Sequence, residues 1–358
     1  MSATKFVCAL FAASLTASLP VRAQQLHLST AQPSPSASSH PIQLDVVVDT
    51  KSGQPVNNLG QQDFTILDNK SPRPITSFKV VTPAEEPVSV ILFIDAVNTP
   101  SELVADMRNQ TEKFLKANEG VLAHPTSIAV FTDDGVQLPK AFSANGMELS
   151  DDLDHRTIGL HKITLNNEFS AGDRLTLSIK ALHQLVLFAA RLPGRKLILW
   201  ISPGFPLASG PGLSGLTPQF GQAIFGDVTY FSGQLRQNNI TLYNINPVGT
   251  GQSTFTANYY QNFVKGVTRP DQAQLADLSV QVLSTQTGGL ALVSDNDVQA
   301  QIAKCLLDAN SWYEITFDAP AADKPNEYHH IEFKLDQPSL TARTRTGYYS
   351  NTATGPAY

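Results

Sequence analysis

The chain has 358 residues, 42% of them hydrophobic and 16% charged, with a formal net charge of −6. That is the composition of a globular protein able to bury a core without staples. Its acidity and the lack of a Lys/Arg cluster argue against nucleic acid as a partner. The eight histidines and two cysteines form no HExxH and no Cys pair, which excludes the common zinc patterns.

Residues 1–23 read as a signal peptide. Lys5 gives a charged start, "FVCALFAASLTASL" is an apolar run of suitable length, and Val21 and Ala23 occupy the small-residue positions before a cut. The expected location is therefore periplasmic or extracellular. Cys8 leaves with the signal, so Cys305 remains alone and no internal disulfide can form. No later apolar run approaches the ~18 residues of a membrane span. Residues 24–41, "QQLHLSTAQPSPSASSHP", have the composition of a flexible linker.

Residues 42–85 form an N-terminal β segment: "IQLDVVVD", "DFTILDN" and "KSPRPITSFKVV" alternate and are separated by turn residues. "TPAEEP", residues 82–87, marks a boundary, after which the period changes. From 86 to 310, apolar strands alternate with amphipathic helices, the pattern of a doubly wound, mostly parallel α/β sheet. Strands are expected at 88–95, 126–132, 136–142, 195–202, 240–246 and 289–294. "TSIAVF", "RKLILWIS" and "ITLYNI" are the continuous apolar runs of strands covered on both faces. Between them, Leu175, Ile179, Leu182, Val186 and Ala189 make one helical stripe, with Ser170 or Asp173 as a cap and Pro193-Gly194 as the stop. "PSELVADMRNQTEKFLKAN" and "DQAQLADLSVQVLSTQTGG" read as further helices. Residues 311–350 return to β as a C-terminal segment before a tail at 351–358, and His329–His330 are expected at the surface. The two β segments could form one small sandwich with the α/β region inserted, or stand as independent extensions.

"VSVILFIDAVNTP" ends a buried strand in Asp95. Loops at the carboxyl ends of strands are where open α/β sheets bind ligands. The stretches "VVVDTKSGQPVNNLGQQDFTILDNKSPRPITSF", "LPGRKLILWISPGF" and "LTARTRTGYYS" resemble the VWFA-related family of Acidobacteria and relatives. The arrangement is similar to a von Willebrand factor A (vWA) domain. The resemblance implies a metal-ion-dependent adhesion site: Asp-x-Ser-x-Ser after the first strand, a Thr before a middle helix and an Asp after the fourth strand. It implies Mg²⁺ or another divalent cation, and a protein partner at the carboxyl edge. Asp95 matches the first Asp and Thr99 the fifth position, and Thr176 is the candidate Thr. Val97 has no ligating atom, and Pro203 stands where the distant acid is expected. A site with one carboxylate should hold Mg²⁺ weakly or not at all. Asp133 and Asp134 could compensate, although "FTDDGV" also reads as a hairpin turn. Asp95 could equally be a structural carboxylate that accepts loop N–H groups. An enzyme is not expected, because no nucleophile–base pair, nucleophile elbow or phosphate loop is present. The reading is a secreted, non-enzymatic protein-binding module with a degenerate metal site. The alternatives are a structural module without metal and an Asp-dependent hydrolase.

Overall fold

A computed structural model describes residues 40–156, 158, 168–204, 217–249 and 259–350. The expected signal, the linker up to residue 39, the middles of the two long loops (205–216 and 250–258) and the tail lie outside the described residues. His40 and Pro41, expected in the linker, begin the first strand.

Four strands precede the boundary: β1 (His40–Thr50), β2 (Phe64–Asp68), β3 (Ser71–Arg73) and β4 (Ile75–Val81). The α/β region follows as β5 (Val88–Asp95), α1 (Ser101–Lys116), β6 (Val121–Thr132), β7 (Gly135–Gln137), β8 (Ser143–Asn145), α2 (Gly146–Asp154) and α3 (Glu168–Ala189). It continues through β9 (Arg195–Ile201), α4 (Pro218–Gln237), β10 (Ile240–Ile245), α5 (Val280–Gln286), β11 (Ala291–Leu292) and α6 (Val298–Leu306). The last strands are β12 (Trp312–Ala319), β13 (Glu327–Leu335), β14 (Leu340–Arg343) and β15 (Gly347–Ser350).

The central sheet runs β11-β10-β9-β5-β6-β7, with β8 also paired to β6. Strands β11, β10, β9, β5 and β6 are parallel, and the short β7 and β8 are antiparallel. This is the doubly wound order with a reversed edge strand, a vWA-like fold. Its strand order reverses between β5 and β9, where such sheets open a crevice at their carboxyl ends. Alternation divides the core. Ile91, Phe93, Phe131, Ile198 and Trp200 pack under α3 and α4 on one face. Leu92, Ile94, Val130, Leu199 and Ile245 meet Met107 and Leu115 of α1, Leu153 of α2 and Ile302 of α6 on the other. Burial on both faces explains why the strands read as unbroken apolar runs.

Two antiparallel sheets, β14-β1-β12-β4 and β15-β13-β2-β3, lie beside this layer. Each draws strands from both ends of the chain. Ile42, Leu44, Val46 and Val48 on β1 face Ile66, Ile331 and Tyr348 across a shared core. Val47, Val81 and Trp312 point the other way and join the α/β core.

The seam between sandwich and α/β layer is polar and closely paired. Arg195 reaches Asp45 at 3.2 Å, donates to the Asp308 carbonyl at 2.7 Å and lies 4.9 Å over the Trp312 ring. Asp308 accepts from Tyr243 at 2.6 Å and Arg343 at 2.7 Å. Arg345 donates to the carbonyls of Leu235 and Ile240, and Thr344 to that of Asp45. The closing "TARTRTGYYS" thus latches the last strands onto the sheet.

Several elements differ from the sequence expectation. The strand expected at 136–142 stops at Gln137, since Pro139 cannot donate to a ladder. The strand expected at 289–294 shrinks to two residues. The helix expected across 271–289 is α-helical only over Val280–Gln286, after short 3-10 turns at Pro270–Gln272 and Leu275–Leu278, because Ser279 caps it anew by accepting from Val282 N. Asp277 closes the preceding turn by accepting from Gln274 N at 2.7 Å. Helix α3 begins at Glu168, upstream of the suggested caps. His329 is buried rather than at the surface: its Nδ1 lies 2.8 Å from Asp68 Oδ1 and its ring stacks on Tyr348, while His330 alternates outward.

Candidate functional site: the carboxyl edge around Asp95

Strand β5 delivers Asp95 to the crevice beside β9, and the side chain is completely buried. Its Oδ1 accepts from the backbone N–H groups of Val97 at 3.0 Å and Asn98 at 2.9 Å. Its Oδ2 accepts from Asn98 Nδ2 at 2.8 Å and from the Trp200 indole N–H at 2.9 Å. The Ser202 hydroxyl adds a further donor. Burial pushes the carboxyl above the usual carboxylate range, and the donors from Asn98, Trp200 and Ser202 pull against it. None of these main causes is a cation.

Thr99 is buried and donates to the Asp95 carbonyl at 2.6 Å, so its hydroxyl folds back on its own turn. Thr176 is exposed on α3 and donates to the Gly172 carbonyl one turn back. The α3 residue that reaches the cluster is Ser178, fully buried, which accepts from Asn98 Nδ2 at 2.9 Å. Val97 packs in the apolar core beneath α3. Asp133 and Asp134 occupy the two-residue turn between Thr132 and Gly135, and the charge facing Asp133 is Arg174. The structure therefore brings Asp95 and Thr99 into one turn and leaves Thr176, Asp133 and Asp134 outside it.

Beyond β9, the "SPG" stretch is pinned as a turn. Ser202 Oγ accepts from Gly204 N at 3.0 Å, Asn244 donates to the Ser202 carbonyl at 2.9 Å, and Gln281 donates to the Pro203 carbonyl at 2.9 Å. Gly204 has φ +110°, and a β-carbon there would meet the Gln281 side chain.

These residues do not fit a divalent cation. A cation needs oxygen lone pairs aimed at one point, whereas both Asp95 oxygens are covered by N–H donors and the Thr99 proton points inward. Among the described residues no group of three or more His, Cys, Asp or Glu is placed to hold a metal. Sequence reasoning missed Asn98, Ser178 and Trp200. One available signal was the Trp in the apolar run 197–201 of β9, since a buried indole N–H needs an acceptor.

No protein-family model matches the chain, and no curated protein matches it. Solved structures similar to it include proximal thread matrix protein 1 from the mussel byssus, at 11% identity and TM-score 0.36, covering 68% of this chain and 51% of that one. A second is the manganese-loaded TRAP protein of Plasmodium vivax, at 10% identity and TM-score 0.32, covering 76% and 98%. A third is a D319A mutant of the PilB minor pilin of Streptococcus sanguinis, at 11% identity and TM-score 0.34, covering 74% and 79%. The chain spans about half the length of the mussel protein it matches.

Proposed function

We propose that this chain is an exported, non-enzymatic protein-interaction module that engages its partner through the carboxyl-edge loops of a vWA-like sheet without a metal ion. The supporting observation is the donor shell of Asp95. A metal-dependent adhesion site offers a cation to a partner's carboxylate. Here the carboxylate is consumed internally, where it fixes the first turn after β5 and ties it to β9 and α3. What the cluster leaves open is an acceptor: Asn98 Oδ1 is buried without a hydrogen-bond partner among the described residues. If the loop opens on docking, this buried carbonyl oxygen suits a donor from a partner, such as an amide or a Lys or Arg side chain. The same shell argues against Asp95 as nucleophile or general base, because the carboxylate is fully buried and its lone pairs are occupied by fixed donors. Among the described residues no helix is long and apolar enough to cross a membrane.

Calorimetric titration with Mg²⁺, Mn²⁺ and Ca²⁺, on the parent and on Asp95→Ala, tests the reading. No saturable heat at millimolar metal is expected for either. Binding to the parent that is lost in the variant would overturn it. Capture of a partner by the immobilised chain, unchanged by EDTA and lost in Asn98→Leu, is the positive arm.

A further inference from the structure

At the opposite, amino end of the sheet, a cleft of about 260 Å³ opens along the seam between β1 and β10. Asp45, Arg236, Asn239, Thr241 and Arg345 are among the residues that line it. The cations around it are not equivalent. Arg195 and Lys196 are engaged, the first with Asp45 and the Asp308 carbonyl, the second with the carbonyls of Leu192 and Gly194. Arg345 is buried and clamps two backbone carbonyls, at 2.8 and 2.9 Å, with no carboxylate in contact. Arg236 is half-buried in the last turn of α4, and its side chain makes no hydrogen bond or ion pair with any described residue. Its guanidinium is held below its usual pKa by burial, and Arg345 is lowered by burial, with the Asp45 charge pulling against this and the Arg236 and Arg195 charges adding to it.

The one carboxylate in the cleft wall, Asp45, offsets part of the burial cost at Arg345 but is not in ion-pair contact with Arg236. Asp45 is committed to Arg195 and is hydrogen-bonded by Asn239. Glu86 sits farther along the seam, where it accepts from Asn239 Nδ2 at 3.3 Å, and Glu314 accepts from Gln43. In a chain whose net charge is −6, this cleft is a local reversal of sign. It holds a planar five-donor fork without a counter-ion and the hydroxyl of Thr241.

We propose that this cleft binds a small oxyanion, a phosphate or carboxylate group, gripped by Arg236 with Arg345 behind it. Guanidinium pairs bidentately with both groups, which is why Arg serves where such anions are recognised. A cleft of about 260 Å³ lies below the ~300 Å³ at which drug-sized ligand sites begin. It suits a single anionic group rather than a nucleotide. The site is separate from the Asp95 rim, so either proposal can fail without the other.

The test uses the full chain. Thermal melting and calorimetry follow titration with inorganic phosphate and with succinate, against sodium chloride at equal ionic strength. A saturable stabilisation by one anion is expected, and which anion acts names the class. Arg236→Gln should weaken that binding about ten-fold or more. It should leave the ligand-free melting temperature unchanged, because the side chain has no bond to lose. Arg236→Lys, which keeps the charge and loses the fork, should fall between. Stabilisation no greater than that by chloride, or stabilisation retained in full by Arg236→Gln, would overturn the proposal.

Discussion

Replacing Asp95 by Ala should act on stability rather than on metal affinity, and the size of the effect follows from the donors it abandons. The substitution removes the acceptor for Val97 N, Asn98 N, Asn98 Nδ2 and Trp200 Nε1 in a site with no solvent exposure. Each orphaned buried donor costs about 1–3 kcal/mol. Asn98 Nδ2 keeps Ser178 as a partner, and the turn can relax, so the sum is about 4 kcal/mol rather than the full total. At ~2–4 °C per kcal/mol for a domain of this class, the melting temperature should fall by about 10 °C. Asp95→Asn should lie midway: its amide oxygen still serves the two backbone N–H groups, but its NH₂ is set against the Trp200 indole N–H. Melting curves in EDTA and in 10-fold steps of Mg²⁺ decide the matter. A metal ligand would show the reverse pattern, with the parent stabilised by metal through mass action and the variants close to the parent in EDTA. If both variants melt within about 2 °C of the parent in EDTA, the account of Asp95 as a structural acceptor is wrong.

Three further outcomes follow from the geometry. Burial pushes Asp277 from 3.8 up to about 6 against the hydrogen bond from Gln274 N. The folded state then holds a proton that the unfolded chain has released, so this group's contribution is full below pH ~4, is lost as pH rises to ~6, and is flat above, a change of up to about 3 kcal/mol. Asp277→Asn, which keeps an acceptor for Gln274 N, should flatten that slope and stabilise the protein at pH 7; an unchanged pH profile of urea unfolding would contradict it. Arg343→Met leaves Asp308 buried and charged beside Tyr243, and should cost about 3–5 kcal/mol, with Arg343→Met/Asp308→Asn restoring part of it in a double-mutant cycle. Gly194→Ala should destabilise by about 2 kcal/mol or more, since Gly194 has φ +64° and a β-carbon would lie 2.1 Å from the Pro87 carbonyl oxygen; melting near the parental temperature would show that the β9 entry can shift.

The α/β order and the doubly wound sheet were legible because two-sided burial leaves apolar runs that only such a sheet explains. Asp95 was legible as a position for the same reason: a charged residue ends a buried strand. Its role was not, because the hydrogen-bonded cluster around it is assembled from three separate places. Trp200 sits 105 residues away and Ser178 is 80 residues from Asn98, distances over which spacing carries no information. Matching by motif offset chose Thr176. The helix phase instead turns that residue to solvent and Ser178, two positions on, inward. His329 was misplaced because alternation says that one of two neighbours is buried without saying which; the deciding factor is Asp68, on a strand 261 residues earlier. The short β7 and the broken helix before Val280 reflect local chemistry, Pro139 and the caps at Asp277 and Ser279, that was readable but weighed too lightly against hydrophobic pattern.

The pairing of β1 with β12 has a consequence for how the molecule is made. Gln43 on β1 donates to Glu314 on β12, 271 residues away. During N-to-C synthesis β1 therefore emerges with neither of its partner strands, β12 and β14, and waits until the whole α/β layer has been translated. At ~5–20 residues per second, that delay is on the order of tens of seconds. In that interval "IQLDVVVD" is an unpaired, apolar edge of the kind that recruits other chains. The α/β layer, whose contacts close over shorter spans, can form first and present Val47 and Val81 with the surface on which they finally settle. Truncation before Trp312 would make the delay permanent, so a chain ending there should collect in aggregates even though its parallel sheet is complete.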